Sequence, residues 1–202
     1  MATLAQYTTH TNPGESIYRD IGGNKYDGGA MSFTLTPSTP HTVDSMMAEL
    51  KKTGSPSVAL RFRIFSDVAG APGVELGGTT VAAASVTSGY TEITSGAPST
   101  TVTLLPGVTY WLVIDTATQG TDDTNYFQWG MGNTSLLYPS SLYKYNGVFL
   151  TETGWNLYFR VSGTEAPVGP ANVKTVDQLA KASVKTVAGL AMGSIKTIDG
   201  LA

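Results

Sequence analysis

The sequence contains few side chains that could act as a catalytic base or nucleophile. Its two histidines are His10, in a polar segment, and His41, in a Ser-Thr-Pro-His turn. A catalytic triad needs a histidine that is oriented by an acid and contacts a nucleophile, and no Gly-x-Ser-x-Gly elbow accompanies either histidine. Cysteine is absent, which excludes a thiol nucleophile, thiolate metal sites and disulfides. We therefore predict that the protein is not an enzyme and uses no cofactor.

The acidic residues form no pattern that predicts chemistry. Glycoside hydrolysis needs two carboxylates that flank the scissile bond, but the glutamates are scattered near turns or on solvent-facing strand positions. These glutamates are Glu49, Glu75, Glu92 and Glu152. Asp115, Asp122 and Asp123 cluster around a loop at 115–125, without the alternation of Asp and Asn that calcium loops show. We interpret this loop as a solvated turn and expect no metal site.

An aromatic-rich stretch is the best candidate for a binding site. Exposed Tyr and Trp side chains can stack on sugar rings or anchor a protein interface. The same side chains could instead cap one end of a β-sandwich. The candidate residues for binding a glycan or a protein partner are Tyr138, Tyr143, Tyr145 and Trp155, with Phe149 between them.

Composition and periodicity predict an all-β domain that positions these residues. Charged residues make up 13% of the chain, about half the usual share of roughly 25%, and Gly, Ser and Thr replace them. Leu60, Phe62 and Ile64 alternate with Arg61 and Arg63, so one face of this strand is predicted to lie in the core and the other in solvent. The stretch 108–114 is apolar on both faces, which predicts a central, covered strand.

The chain is predicted to contain a jelly-roll-like antiparallel β-sandwich of about nine or ten short strands. The predicted organisation is an N-terminal arm at 1–16, the sandwich at 17–163, a Pro/Gly linker at 164–172 and a repeat tail at 173–202. The predicted strands include a small-residue strand at 81–86, and no amphipathic helix is expected in the sandwich. The predicted core residues are Leu60, Phe62, Ile64, Tyr110, Leu112, Ile114, Leu157 and Phe159.

The C-terminal tail repeats itself every eleven residues. A segment beginning at Val173 is followed by copies that begin at Val184 and Ile195. An eleven-residue period gives about 3.67 residues per turn, which keeps one apolar stripe on a helix. Glycines within the copies, and the strand preference of Val, Ile and Thr, favour a repeating strand and turn instead, and both interpretations stay open. The predicted oligomerisation residues are Val173, Val176, Leu179, Val184, Val187, Leu190, Ile195, Ile198 and Leu201.

Charge and hydropathy argue against two classes of partner. The net charge is −3 and the longest basic run is Lys51-Lys52, so no nucleic-acid surface is expected. No apolar run reaches the roughly 18–20 residues that span a bilayer. The first residues lack a basic region and an apolar region of the kind found in signal peptides, which favours assembly in a host cytoplasm.

Several stretches resemble the choice-of-anchor β-sandwich domains of bacterial surface proteins and phage virion proteins. They are Ser57 to Asp67 followed by Gly70-Ala71-Pro72-Gly73, then Leu105 to Asp115, Tyr126 to Gly130 and Asn156 to Gly163. The resemblance covers roughly residues 17–163, and the tail resembles repeats at the ends of fibre-like proteins. It implies a jelly-roll-like sandwich without a known catalytic apparatus.

The leading hypothesis is a non-enzymatic structural component of a phage-like virion, such as a head or tail decoration or fibre, that assembles through its tail. The alternative is a carbohydrate-binding adhesion module of a bacterial surface protein. The expected location is a virion or an extracellular surface. The expected partners are other copies of the chain, other virion or surface proteins, and glycans.

The tail should self-associate or dock on a partner, because a lone segment cannot bury its apolar stripe. A cyclic trimer is the first expectation, since oligomers commonly close by rotational symmetry. Val187→Asp would place an unpaired charge in the stripe and should weaken assembly by several kcal/mol if that position is buried. Light scattering on the full chain, on a chain ending at Gly163 and on Val187→Asp tests this. A monomeric full chain that also binds no assembly partner would contradict it.

Overall fold

A computed structural model of the chain describes residues 1–16, 19–21, 24–116, 121–132, 140–144, 149–152, 156–167, 186–187 and 190–191. The strands, in chain order, are β1 (Ala2–Tyr7), β2 (Asn12–Ser16), β3 (Arg19–Ile21), β4 (Asn24–Thr34), β5 (His41–Thr53), β6 (Leu60–Val68), β7 (Ala71–Val81), β8 (Thr91–Thr94), β9 (Thr103–Leu104), β10 (Thr109–Thr116), β11 (Tyr126–Gly132), β12 (Ser140–Lys144), β13 (Phe149–Glu152), β14 (Asn156–Leu157), β15 (Phe159–Glu165), β16 (Thr186–Val187) and β17 (Leu190–Ala191).

Two antiparallel sheets face each other, which confirms the predicted all-β sandwich. In sheet A, the strands follow the order β1-β15-β5-β11-β14, with β2 paired to β11 and with β8 and β9 paired to β5. In sheet B, the order is β13-β12-β4-β10-β6-β7, with β3 paired to β4. The only helical element in the described part of the chain is a 3₁₀ turn, Ala83–Ser85. This turn replaces most of the strand predicted at 81–86, where small side chains offer little surface for packing on a sheet.

The main core lies between the sheets and contains every core residue predicted from the sequence. Each predicted core residue is at most 5% exposed. Phe33, Phe127 and Trp129 join them, and Phe33 packs against Phe159 with ring centroids 5.9 Å apart. The central strand β10 is buried on both faces, as its continuous apolar sequence predicts.

The segment predicted to be an N-terminal arm is part of the sandwich. Strand β1 pairs with β15 and strand β2 pairs with β11. Leu4 and Tyr7 are buried in the main core. Backbone pairing at a sheet edge depends little on side-chain polarity, so a polar composition did not reveal these strands. The first compact unit runs from Met1 to Ala166, so the predicted linker begins inside strand β15.

Sheet B curls around its outer face. The rings of Phe149 on β13 and Phe65 on β6 lie 6.3 Å apart, edge to face. Four strand-to-strand steps separate these strands, which in a flat sheet would place them roughly 19 Å apart. The outer face is therefore concave. A second, smaller core of Ala30, Phe65, Trp111 and Val113 lies on this face, and Phe149 packs against it.

The tail belongs to a second unit, Pro167 to Ala202. Its described residues form a short antiparallel pair, in which Thr186 pairs with Ala191 and Val187 pairs with Leu190. For these four residues the strand interpretation holds rather than the helical one. The other predicted oligomerisation residues, Val173, Val176, Leu179, Val184, Ile195, Ile198 and Leu201, lie outside the described residues.

The turn between β6 and β7 contains a strained residue. Ala69 and Gly70 have φ angles of 53° and 79°, the pattern of a two-residue hairpin turn that favours Asn-Gly. We expect Ala69→Asn to raise the free energy of unfolding by about 0.5–1 kcal/mol, because Asn tolerates this backbone conformation better than Ala. Gly70→Ala should lower it by about 1 kcal/mol, although a Cβ at Gly70 meets no atom within 4 Å. Urea denaturation measures both, and equal effects of the two changes would contradict the assignment.

Candidate functional site

A buried ion network lies on the concave face of sheet B. Asp115 is fully buried and accepts hydrogen bonds from Arg61, whose Nε and Nη2 lie 2.9 Å and 2.7 Å from its two carboxylate oxygens. Arg63 Nη2 donates to the same carboxylate. Arg63 Nη1 donates to Glu75 Oε2 at 2.9 Å. Two guanidinium groups and two carboxylates are thus joined in one network.

Strand register explains why these residues meet. Asp115 on β10 pairs directly with Arg61 on β6, and Arg63 pairs with the next outward-facing position of β10, Val113. Glu75 pairs with Phe65 across an irregularity in β7. Side chains that are directly opposite on one face lie within contact distance. The alternation that sends Phe62 and its neighbours into the main core therefore sends the arginines to the concave face.

Burial and charge act in opposite directions on Asp115. Desolvation raises the pKa of Asp115, while the hydrogen bonds and charges of Arg61 and Arg63 work against that rise. Both of its oxygens accept hydrogen bonds from guanidinium groups, a role that requires the ionised carboxylate. The network therefore contains two positive and two negative charges at neutral pH.

An open cleft of about 280 Å³ adjoins this network. Its lining combines charged groups with hydroxyl groups and consists of Arg61, Arg63, Glu75, Gly78, Thr79, Thr80 and Ser99. Gly78 is required here, because a Cβ at this position would lie 2.6 Å from Arg63 Cγ and 2.7 Å from the Phe62 carbonyl oxygen. The Ser99 amide and hydroxyl both donate to the Gly78 carbonyl, which fixes the wall of the cleft to β7.

The second, smaller core packs next to the ion network. Trp111 is fully buried, and its Nε1 donates to Asp67 Oδ1 at 2.8 Å. The guanidinium of Arg63 lies 4.9 Å from the centre of the Phe65 ring. Packed aromatic rings and a cation–π contact restrict the arginine side chain before any ligand binds. Arg63 Nε is buried and has no hydrogen-bond partner within the described residues.

Most of the aromatic binding residues predicted from the sequence lie outside the described residues; these are Tyr138, Tyr145 and Trp155. Tyr143 is placed by its backbone alone, which pairs with Gly28 on β4 and Phe149 on β13. Gly28 in turn pairs with Asp115. One row of the sheet therefore connects the backbone of a predicted binding residue to the ion network, which sequence analysis missed.

Two interpretations of acidic residues need correction. Asp115 does not belong to a solvated turn, since it lies on a buried strand. Glu49 and Glu92 are not scattered, because they pair directly across β5 and β8. Glu49 Oε2 lies 2.5 Å from His10 Nδ1, and Glu92 accepts from the Tyr158 hydroxyl at 2.7 Å.

The carboxylate pair Glu49 and Glu92 lines neither the cleft beside Arg61 and Arg63 nor a second cleft, which is lined by Met1 and Arg160 among others. Burial, followed by the hydrogen bond to Glu92, raises the pKa of Tyr158 to about 12. Glu92 also lies 3.5 Å from Arg160. These contacts compensate two like charges that would otherwise repel each other.

The exposed turn at Asp122 fits its predicted interpretation. Asp122 accepts hydrogen bonds from Thr124 and Asn125, which lower its pKa to about 2. The turn is thus closed by its own side chain. Within the described residues, no three His, Asp or Glu side chains converge in a way that could hold a metal ion.

Comparisons with known proteins give no family. No family model matches the chain, and no curated protein matches it, so the resemblance to choice-of-anchor domains stays a prediction. The chain is similar to a solved structure of the cysteine protease and lectin-like domains of Cwp84, a surface layer associated protein of Clostridium difficile. The TM-score is 0.47 at 15% identity, over 71% of this chain and 33% of that one. The chain thus spans about a third of that protein's length, and a likeness at this level carries no argument.

Among the residues that the structure describes, no helix has the length and apolar character to cross a membrane.

The two carboxylates of the network should contribute unequally to the free energy of unfolding. Asp115→Asn should lower the free energy of unfolding by about 3–5 kcal/mol, because it leaves two guanidinium groups without their shared buried partner. Glu75→Gln should cost less than about 1 kcal/mol, because the Glu75 side chain is 45% exposed. Chemical denaturation of both variants tests this. A loss below about 1 kcal/mol for Asp115→Asn would show that the network does not organise the concave face.

Proposed function

We propose that this chain is a non-enzymatic carbohydrate-binding module of the adhesive type, and that its ligand binds in the cleft beside Arg61, Arg63 and Glu75. The observation that carries the proposal is the ion network, which holds two guanidinium groups in fixed positions at a solvent-accessible cleft. Planar guanidinium and carboxylate groups can bond two neighbouring hydroxyl groups at once. Sugars present such pairs of hydroxyl groups.

Preorganisation and size support the same ligand class. Binding costs less entropy when the side chains are already immobilised, and Asp115 holds both arginines before a ligand arrives. The cleft volume of about 280 Å³ lies near the lower limit, roughly 300 Å³, of small-molecule sites. This volume suits a ligand of about one sugar ring.

The absence of catalysis is part of the proposal. A glycosidase needs one carboxyl group that gives a proton to the leaving group and a second that acts as nucleophile or base. Asp115 is buried and bonded to both arginines, and Glu75 is bonded to Arg63. Asp115 is therefore inaccessible to a ligand, and Glu75 alone among the lining residues of the cleft offers an accessible carboxylate, whereas a glycosidase uses two.

A structural role in a phage-like virion is the second proposal, and it rests on the tail. The middle repeat contains an antiparallel pair formed by Thr186-Val187 and Leu190-Ala191. The first and third repeats have the matching residues Thr175-Val176 with Leu179-Ala180, and Thr197-Ile198 with Leu201-Ala202. One strand pair per repeat would give a regular β tail suited to assembly with other copies. Co-purification of the chain in particles would favour this role.

Filling the cleft should abolish glycan binding. Thr80 is exposed on β7 and lines the cleft, so Thr80→Tyr should block the cleft without disturbing either core. Thr103→Tyr is the matched control, since Thr103 is an exposed strand threonine outside the cleft. A glycan array followed by calorimetry should show loss of binding only in Thr80→Tyr. If Thr80→Tyr keeps its binding while Trp155→Ala loses it, the site lies in the aromatic stretch instead.

A further inference from the structure

The charges of the cleft indicate which class of sugar it binds. We propose that the cleft selects uncharged saccharides over carboxylated ones, and that Glu75 is the residue that sets this selectivity. The inference rests on the proposed carbohydrate-binding function. It goes beyond that function by naming the ligand class and one residue that determines it.

The first step is the charge balance of the network. Asp115 is shared by Arg61 and Arg63, and Glu75 bonds the second guanidinium nitrogen of Arg63. Arginine sites that bind anions use the guanidinium fork to contact the anion directly. Here a carboxylate of the chain itself already occupies that position on Arg63. The cleft therefore presents an arginine whose charge is already neutralised.

The second step is the position of Glu75 relative to solvent. The Arg63 side chain is 12% exposed, whereas the Glu75 side chain is 45% exposed. Glu75 is therefore the more accessible member of this ion pair, and a ligand that contacts Arg63 in the cleft lies close to the Glu75 carboxylate, whose Oε2 is 2.9 Å from Arg63 Nη1. A sugar carboxylate next to Arg63 would be repelled by Glu75 or would have to displace it, because two negative charges close together interact unfavourably.

A hydroxyl group has no such conflict, because it both donates and accepts hydrogen bonds. It can donate to Glu75 and accept from a guanidinium group in the same site. Thr79, Thr80 and Ser99, which line the rest of the cleft, offer hydroxyl groups of the same kind. Selectivity thus arises from repulsion of the wrong ligand as well as attraction of the right one.

The test exchanges one carboxylate for an amide of the same shape. Glu75→Gln removes a negative charge and leaves Arg63 with an unneutralised charge at the cleft. Glu92→Gln is the matched control, because Glu92 also pairs with an arginine and its side chain is 47% exposed, but it lies on the other sheet. Both variants lose one negative charge from the chain. Their affinities for matched neutral and uronic acid glycosides are measured by calorimetry.

We expect the wild-type chain to bind the neutral glycoside more tightly than its uronic acid counterpart. In Glu75→Gln, affinity for the uronic acid glycoside should rise on the order of tenfold, and Glu92→Gln should leave both affinities unchanged. A wild-type preference for the uronic acid glycoside would overturn this inference while leaving a glycan site in the cleft. An equal gain in both variants, or no gain in Glu75→Gln, would also overturn it. Absence of binding to every glycan tested would overturn the proposed function itself.

Discussion

The concave face of sheet B depends on one buried carboxylate. Asp115 has no exposure to solvent, yet it lies between two guanidinium groups whose hydrogen bonds and charges oppose the cost of its burial. An isolated buried carboxylate would be strongly destabilising. The arrangement therefore requires that Arg61 and Arg63 keep one geometry. Asp115 thus fixes the two positively charged side chains that line the cleft, because both of them donate hydrogen bonds to its carboxylate.

The curl of sheet B shields the apolar residues beside this network from water. The ring of Phe149, from the far edge of the sheet, packs on Phe65 and against the cluster to which Trp111 and Val113 belong. A flat sheet would expose the same residues to solvent. The sandwich thus has two cores of different purpose. The large core between the sheets holds the fold together, and the small core on the concave face supports the ion network.

The sequence predicts the first core well and the network poorly, for a physical reason. Alternation along one strand shows that Leu60, Phe62 and Ile64 share a face, so their burial could be predicted. The same alternation shows only that Arg61 and Arg63 face away from that core. Whether another layer covers them depends on how far the sheet curls, and this is set by contacts between residues distant in sequence.

Asp115 was interpreted as a loop residue because it follows an apolar run and precedes a polar stretch. Its partner is an arginine 54 residues earlier, and only the register of β6 with β10 brings the two together. The signal that could have suggested the pair is the opposite charge of Arg61, on the predicted strand that contains Leu60 and Phe62, and of Asp115, directly after the predicted strand at 108–114. The strands of the N-terminal segment were missed for a related reason, since backbone pairing leaves little trace in composition.

The central claim is that a glycan binds at the guanidinium groups that Asp115 holds in place. Two-dimensional nitrogen–proton NMR, recorded so that arginine Nε–Hε signals are visible, measures this during titration with a neutral glycan. The Nε–Hε signals of Arg61 and Arg63 should shift together with the amide signals of Gly78, Thr80 and Ser99, and the shifts should saturate. If these signals stay unmoved while signals from other parts of the chain shift, the glycan binds elsewhere and this claim is wrong.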